Sequence, residues 1–152
     1  MSEGQATEEA GQAGAETRLR VRYAETDQMG RAHHAAYVVW FELGRTELMR
    51  TSGVSYSELE ARGIQLPVTH LTVEYRDGIR YEEEAVVITR IGSVRSRAVT
   101  FQYELRRVGD TAVLARGSTA LTCTDAEGAT RRLPPDVHAA LIRLRDAAAQ
   151  DC

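Results

Sequence analysis

The hydrophobic pattern of this chain changes its period at Gly63, and this change limits the folds that the chain can adopt. Within residues 34–51, Tyr37, Trp40 and Phe41 lie at helical spacing on one predicted apolar face. After Gly63, apolar and polar side chains alternate as they do in half-buried strands. The sequence therefore predicts one long amphipathic helix followed by a succession of β-strands.

The predicted strands share this alternation and occupy residues 18–23, 64–75, 85–91, 99–105 and 111–124. A second amphipathic helix is predicted at residues 134–150. Strands that follow one another directly pair antiparallel, whereas a parallel sheet needs helical crossovers. We therefore predict an α+β fold in which a curved antiparallel sheet wraps around the long helix.

Three local features refine this prediction. Gly44 costs about 1 kcal/mol against Ala in a helix, but on the apolar face it would let a sheet approach closely. The parity of the alternation switches within residues 68–71, which predicts a bulge, and Pro67 predicts an edge position. Arg45 is predicted on the polar face of the helix, with Glu42 as its ion-pair partner.

Length and composition narrow the class of protein. The 152 residues predict one domain at residues 17–150, after a disordered tail at residues 1–16. The tail lacks the basic start and apolar stretch of a signal peptide, and no apolar run could span a membrane. The net charge of -3 gives no reason to expect nucleic acid as a partner. Cys123 and Cys152 stand in neither metal-binding nor redox spacing, so we expect no disulfide framework and a cytoplasmic location.

The densest group of polar residues lies at residues 23–37, in a loop that leads into the long helix. A helix N-terminus offers unpaired backbone N–H groups and a positive partial charge, which could stabilise an oxyanion. Asp27 in this loop could attack a carbonyl carbon or activate a water molecule. The loop and the helix N-terminus together supply the minimum that acyl transfer requires.

Each candidate also has an interpretation without chemistry. Asp27 could cap a turn or the helix, and its spacing alone favours that interpretation. His34 could be an exposed residue of the first helical turn, whose backbone N–H matters more than its imidazole. Tyr37 could belong to the core. We predict no metal site at His33 and His34, because neighbouring His side chains diverge on regular backbone.

A motif of loop and helix residues combines Tyr23, Thr26, Asp27, Gly30, His34, Ala35 and Tyr37 with Phe41, Glu42, Arg45, Thr46 and Glu47. This motif resembles that of the 4-hydroxybenzoyl-CoA thioesterase family of hotdog enzymes. The resemblance extends over about residues 20–133. It is strongest to the branch that includes the thioesterase associated with the Tol–Pal system.

The resemblance implies a hotdog fold, which is an antiparallel sheet wrapped around a long central helix. It also implies hydrolysis of acyl-CoA thioesters without metal or organic cofactor. Asp27 then matches the catalytic carboxylate, and the backbone N–H of His34 would hold the thioester carbonyl. Tyr23 matches a residue that lines the substrate pocket, and His33 replaces a Tyr of that branch, so the acyl pocket would differ. Tyr37 is kept as a further substrate-binding candidate.

A second candidate site is the predicted turn at residues 92–96, which Arg90, Arg95 and Arg97 flank. Each arginine alone is typical of a solvated hairpin end. As a cluster they could bind the phosphates of CoA, because the guanidinium group matches phosphate geometry. Arg95, Ser96 and Arg97 are therefore predicted to bind substrate.

The predicted reaction converts an acyl-CoA with a short-chain or aromatic acyl group, and water, into a carboxylic acid and CoA. Acyl carrier protein could present the acyl group instead, and Asp27 could act as nucleophile or general base. Two alternatives stay open: a hydroxyacyl-thioester dehydratase of the same fold, and an acyl-CoA binding module without activity. Exposed sheet edges predict a homo-oligomer, a dimer or a homotetramer, that shares its site between subunits.

Overall fold

A computed structural model of the protein describes residues 14–150. The first strand begins at Ala15, so it includes the last two residues of the tail predicted at residues 1–16. Ala15 and Glu16 pair with Thr89 and Ile88, and these ladder contacts order positions that composition alone assigned to a tail. The tail up to residue 13 and the terminal cysteine lie outside the described residues.

The strands of the described chain are β1 (Ala15–Arg20), β2 (Ile64–Gln65), β3 (Val68–Tyr75), β4 (Glu84–Val94), β5 (Ala98–Arg107), β6 (Val113–Thr122) and β7 (Thr124–Asp125). The helices are α1 (Ala36–Thr51), α2 (Tyr56–Ala61) and α3 (Pro135–Gln150), and a 3-10 turn at Tyr23–Glu25 follows β1. Within residues 14–150, none of these helices combines the length and apolar character needed to cross a membrane.

Five strands form one antiparallel sheet in the order β1-β4-β5-β6-β3, and β2 pairs with β7 in a separate ribbon. Helix α1 packs on this sheet through β4 and β1, which confirms the predicted α+β fold. A register shift between Val68 and His70 confirms the predicted bulge. Strand β3 begins directly after Pro67 and lies at the edge of the sheet, as that proline predicts.

Helix α1 lies close against the sheet because its facing side chains interlock with the strands. Trp40 and Phe41 are 1% and 0% exposed, and the Phe41 ring stacks on Tyr103 with centroids 4.6 Å apart. A Cβ at Gly44 would overlap the Thr89 hydroxyl oxygen. The glycine therefore allows the close approach that the sequence predicts for this position.

Arg45 faces the core, and its predicted place on the polar face is wrong. The residue is only 8% exposed. Its Nε donates to the Tyr56 hydroxyl at 2.9 Å, and its Nη1 donates to the Tyr103 hydroxyl at 3.2 Å. The guanidinium group thus turns toward the phenols of α2 and β5, and forms no ion pair with Glu42.

Part of the helix-facing side of β3 is left uncovered. Val68, Leu71 and Tyr75 face that side of the sheet, yet they are 45%, 44% and 47% exposed. Val39 and Leu43, one turn apart on α1, are 49% and 46% exposed. We call these five side chains the β3–α1 apolar surface. Its β3 residues lie on an edge strand with unpaired backbone groups, which is a place where another chain can pair.

Candidate active site

The loop between β1 and α1 closes into a short hairpin with Asp27 at its turn. The His33 N–H donates to the Glu25 carbonyl at 2.7 Å, and the Asp27 N–H donates to the Arg31 carbonyl at 2.8 Å. The Gly30 N–H donates to the Asp27 carbonyl at 3.1 Å, and Gly30 has a φ of 77°. Glycine adopts this left-handed conformation without steric cost, so it fits this place in the turn.

The carboxylate of Asp27 is partly exposed and has one engaged oxygen. Its Oδ1 accepts the Met29 N–H at 2.8 Å and the Arg31 N–H at 3.4 Å. No hydrogen bond from residues 14–150 reaches its Oδ2. Asp27 therefore caps a turn, as one interpretation of the sequence predicts, and still presents an oxygen that can act on a ligand.

The backbone N–H of His34 is available at the entry to α1. The Ala35 N–H donates to His33 Nδ1 at 3.1 Å, and the Ala36 N–H donates to the His33 carbonyl at 2.9 Å. No acceptor within the described residues pairs with the His34 N–H. The Tyr75 hydroxyl donates to the His34 carbonyl at 2.6 Å, which fixes the orientation of this part of the backbone. An N–H held in this way can donate to an oxyanion.

The imidazoles of His33 and His34 lie side by side, with ring centroids 4.0 Å apart. The divergence expected for regular backbone does not apply to these rings, because His33 precedes the helix and residues 34 and 35 form a turn. In residues 14–150, no three side chains of His, Cys, Asp or Glu come together in a way that could hold a metal ion.

Glu25 joins the hairpin to the buried face of α1. Its Oε2 accepts the Trp40 indole N–H at 2.6 Å, and its Oε1 accepts the Arg22 backbone N–H at 2.8 Å. Burial works against the charged form, but the hydrogen bonds from Arg22 and Trp40 outweigh it and lower the pKa of Glu25. Sequence reasoning missed this role. The available signal was a Glu in the loop and a Trp on the apolar face of the helix.

Tyr37 lies in the core beside the candidate site. It is 2% exposed, and its ring packs edge-on against Tyr75 with centroids 4.9 Å apart. Burial raises the pKa of Tyr37, and a hydrogen bond from the Ile79 backbone opposes that shift. This placement agrees with the core interpretation of Tyr37.

Among the other predicted binding residues, Tyr23 stays in the loop of Asp27, whereas the turn arginines do not. Tyr23 is 78% exposed and packs edge-on against Tyr81. Arg95, Ser96 and Arg97 form the β4–β5 hairpin turn, whereas the loop with Asp27 follows the opposite end of the sheet. Strand β4 has 11 residues, which span roughly 35 Å at about 3.3 Å per residue. One protomer does not bring the hairpin turn and Asp27 together.

Arg90 lies within β4 and not at the turn. Its Nη2 is 3.4 Å from the Glu104 carboxylate. Glu104 is 5% exposed and also contacts the guanidinium of Arg106 at 2.6 Å. The sequence interpretation that groups Arg90 with the turn arginines is therefore wrong, because the side chain is engaged on the outer face of the sheet.

A family model and similar proteins of known sequence all point to thioesterases. The model of the Thioesterase-like superfamily matches residues 21–141. The candidate acyl-CoA thioesterase YneP of Bacillus subtilis is 36% identical over 132 residues, which cover 84% of this chain and 94% of that protein. The acyl-CoA thioester hydrolase YbgC of Escherichia coli O6:H1 is 31% identical over 107 residues, which cover 70% and 79%.

The fold also matches solved structures. The DHNA-CoA thioesterase of Staphylococcus aureus superposes with a TM-score of 0.83 at 32% identity, covering 91% of this chain and 95% of that one. A hypothetical protein of Thermus thermophilus, TT1821, superposes with a TM-score of 0.80 at 40% identity, covering 86% and 98%.

Proposed function

Because this chain belongs to the Thioesterase-like superfamily, we propose that it hydrolyses short-chain or aromatic acyl-CoA thioesters with Asp27 as its catalytic carboxylate. Its relatives are named acyl-CoA thioesterases or thioester hydrolases, and the chain is a thioester hydrolase. The acyl group, the Tol–Pal-associated branch and the cytoplasmic location stay predictions, as does acyl carrier protein as an alternative carrier.

The proposal for Asp27 rests on the oxygen that its turn leaves unengaged, in the loop that leads into a helix entry with an unpaired N–H. Oδ2 of Asp27 either attacks the thioester carbonyl carbon or takes a proton from an attacking water. In both routes the carbonyl oxygen becomes an oxyanion, which accepts the His34 N–H. The C–S bond then breaks, and CoA leaves as a thiolate that takes up a proton. Water supplies the second oxygen of the product acid.

The His34 backbone N–H is the proposed oxyanion donor because it lies at the entry to α1 and no acceptor among residues 14–150 pairs with it. One such donor is typically worth about 100- to 1,000-fold in turnover. The helix dipole adds a positive partial charge at the same place. The imidazole of His34 has no step in this mechanism, so His34→Ala should keep most of the turnover.

The active unit is proposed to be a homo-oligomer in which two copies pair through their β3 edges. The β3–α1 apolar surface supports this, because pairing would cover it and satisfy the open edge. In an antiparallel pairing, the Val68 end of one β3 lies beside the Tyr75 end of the other. The β4–β5 turn lies at the Val68 end, and the Asp27 loop lies at the Tyr75 end.

This pairing would bring Arg95, Ser96 and Arg97 of one copy to the same end of the joined sheet as Asp27 of the other. The substrate-binding role predicted for the turn therefore needs a second copy. A homotetramer would be a pair of such dimers. Each subunit would then contribute to two sites.

Turnover of Asp27→Asn tests the proposed mechanism. The amide oxygen of Asn can still accept the Met29 N–H, so the turn should survive. Loss of the charge should lower thiol release at least ~100-fold across a panel of acyl-CoAs. Asp110→Asn is the matched control, because Asp110 also caps a turn, at 3.1 Å from the Ala112 nitrogen. Turnover near that of the parent would exclude Asp27 as the catalytic group.

Subunit mixing tests the shared site. Copies that carry Asp27→Asn and copies that carry Arg95→Glu with Arg97→Glu should each be impaired alone. Hybrids should recover activity with a KM near the parent value, because one of their sites has an intact Asp27 and an intact turn. Light scattering should show a dimer or larger. A fully active monomer, or no recovery in verified hybrids, would contradict the shared site.

A further inference from the structure

Two arginines lie opposite each other in the backbone at the Asp27 hairpin. Arg31 belongs to the hairpin, and Arg80 belongs to the connection between β3 and β4. The two residues form an isolated antiparallel bridge, and the Ala32 N–H donates to the Ile79 carbonyl at 2.7 Å next to it. Both side chains are exposed. The fold thus places two guanidinium groups from distant parts of the sequence on one surface.

Gly30 and Gly78 have no side chains, which leaves space for the side chains of Arg80 and Arg31. Arg80 Nη1 lies 3.7 Å from the position that a Cβ on Gly30 would take. The Arg31 side chain lies across Gly78, where a Cβ would come within 2.7 Å of its Cδ and 3.3 Å of its Nε. Both arginines are therefore laid against backbone, and Arg80 reaches back over the turn that carries Asp27.

The charge of this pair is compensated only in part, by Glu83. Like charges directly opposite each other across a strand pair are destabilising. Neither guanidinium forms an ion pair with any residue of 14–150. Glu83 is close enough for Arg80 to lower its pKa, but its carboxylate binds Arg107 at 2.6 Å and the Arg80 backbone N–H at 2.8 Å. The carboxylate of Asp77 likewise binds a backbone group, because it accepts the Gly78 N–H at 2.8 Å.

An exposed aromatic pair begins at the residue that follows Arg80. Tyr81 follows Arg80 in the chain, and its ring packs edge-on against Tyr23 with centroids 5.7 Å apart. The two tyrosines are 49% and 78% exposed. Aromatic faces of this kind can stack on a nucleotide base, and arginines beside them can hold its phosphates.

We propose that Arg31 and Arg80 bind a phosphate group of the thiol carrier on the same protomer as Asp27. The inference rests on the proposed thioesterase function and adds a binding site to it. The nearby tyrosines favour the nucleotide of CoA as the source of that phosphate. The phosphodiester of an acyl carrier protein arm has the same chemistry, and a comparison of carriers separates the two sources.

The test compares one acyl group on three carriers: CoA, acyl carrier protein and N-acetylcysteamine, which has no phosphate. Arg31→Gln with Arg80→Gln should raise KM for the CoA thioester about 10- to 100-fold with a smaller change in kcat, because charge-assisted phosphate contacts far from the carbonyl are lost. KM for the N-acetylcysteamine thioester should stay unchanged. Arg143→Gln is the matched control, since Arg143 is an exposed arginine of α3.

The carriers distinguish the sources of the phosphate. A rise for CoA alone assigns the site to the nucleotide, and a rise for acyl carrier protein as well assigns it to the shared phosphopantetheine phosphate. An unchanged KM for both carriers would overturn the proposal. So would an equal rise for N-acetylcysteamine, because that substrate has no phosphate to lose.

Two further readouts separate this site from a structural effect and from the proposed reaction. Removing the two facing like charges should leave the melting temperature equal or higher, so a clear fall would show that the double variant damages the fold. Calorimetric titration with free CoA needs no turnover. One outcome is that the parent protein binds CoA and hydrolyses no thioester, while the double variant binds no CoA. In that case the proposed function fails and the phosphate site stands.

Discussion

Replacing Trp40 with Phe removes the indole N–H that donates to Glu25 at 2.6 Å. The change should lower the free energy of unfolding by about 2–4 kcal/mol. A hydrogen bond to a charged group contributes about 1.5–3 kcal/mol. Trp40 is only 1% exposed, so the smaller Phe ring also leaves a cavity, whose cost grows with its volume.

Glu25→Gln is the complementary change, because the amide oxygen can still accept the Trp40 N–H, whereas the charge and the second acceptor, for the Arg22 N–H, are lost. Charge-assisted hydrogen bonds are roughly twice as strong as neutral ones, so we expect a loss of about 1 kcal/mol. Urea unfolding followed by circular dichroism measures both variants and their double mutant. Fluorescence is unsuitable, because Trp40 is the chain's single tryptophan. The coupling energy should be about 1–2 kcal/mol.

The contribution of Glu25 should also depend on pH. The pKa of Glu25 is lowered from 4.5 in the folded state. Stability gained from its charged form is therefore present above pH 4.5 and lost as the pH falls through the lower folded value. The difference in stability between the parent and Glu25→Gln should shrink below that pH. A difference that grows on acidification would contradict the assignment.

The same contact should matter for activity, because it fixes the hairpin of Asp27 relative to the entry of α1. Glu25→Ala should lower kcat more than Glu25→Gln does, with little change in KM. A control cycle on Arg20 and Glu84, which are about half exposed and 2.6 Å apart, should give less than about 1 kcal/mol. Coupling between Trp40 and Glu25 no larger than in this control would refute the reasoning.

Three further outcomes follow from other parts of the structure. Gly44→Ala should destabilise the fold by about 1–3 kcal/mol in urea unfolding despite the better helix propensity, since the new Cβ would overlap the Thr89 hydroxyl. Tyr75→Phe removes the donor to the His34 carbonyl and should lower kcat about 3- to 10-fold in steady-state assays, as expected for a loosened oxyanion donor. EDTA and thiol alkylation should leave turnover largely unchanged, because Cys123 is 0% exposed and burial raises its thiol pKa.

The predicted ends of helices and strands differ from the observed ends, because the local residue pattern does not determine where an element stops. The long helix was predicted from residue 34 and begins at Ala36, because the residues before it form a turn stabilised by His33. The first strand was predicted at residues 18–23, and it lies at Ala15–Arg20. Its alternation continues past Arg20 to Val21, whose backbone bonds to Glu82 and Glu83 before β4 begins. Periodicity detects a strand, whereas its ends depend on where the neighbouring strand ends.

Arg45 shows that the residue pattern of a helix does not determine whether one side chain faces solvent or packs against other elements. Its position in the helix pattern predicted solvent and an ion pair. Two tyrosine hydroxyls from other elements receive its N–H groups instead. A local pattern cannot reveal such partners, because they come from α2 and β5.

The sequence by itself determined the fold class and the local geometry of the Asp27 turn. The turn could be predicted because its hydrogen bonds join residues at most four positions apart, from Asp27 to Met29, Gly30 and Arg31. The alternation after the helix likewise specifies strands through neighbours along the chain.

Only the tertiary structure decided which distant side chains share a surface. It separated the turn at residues 95–97 from Asp27, placed Arg80 opposite Arg31, and joined Glu25 to Trp40. These relations depend on the order and register of the strands and on the side of the sheet that α1 covers. Backbone pairing and core packing set those quantities over the whole chain at once, so no single segment of sequence contains them.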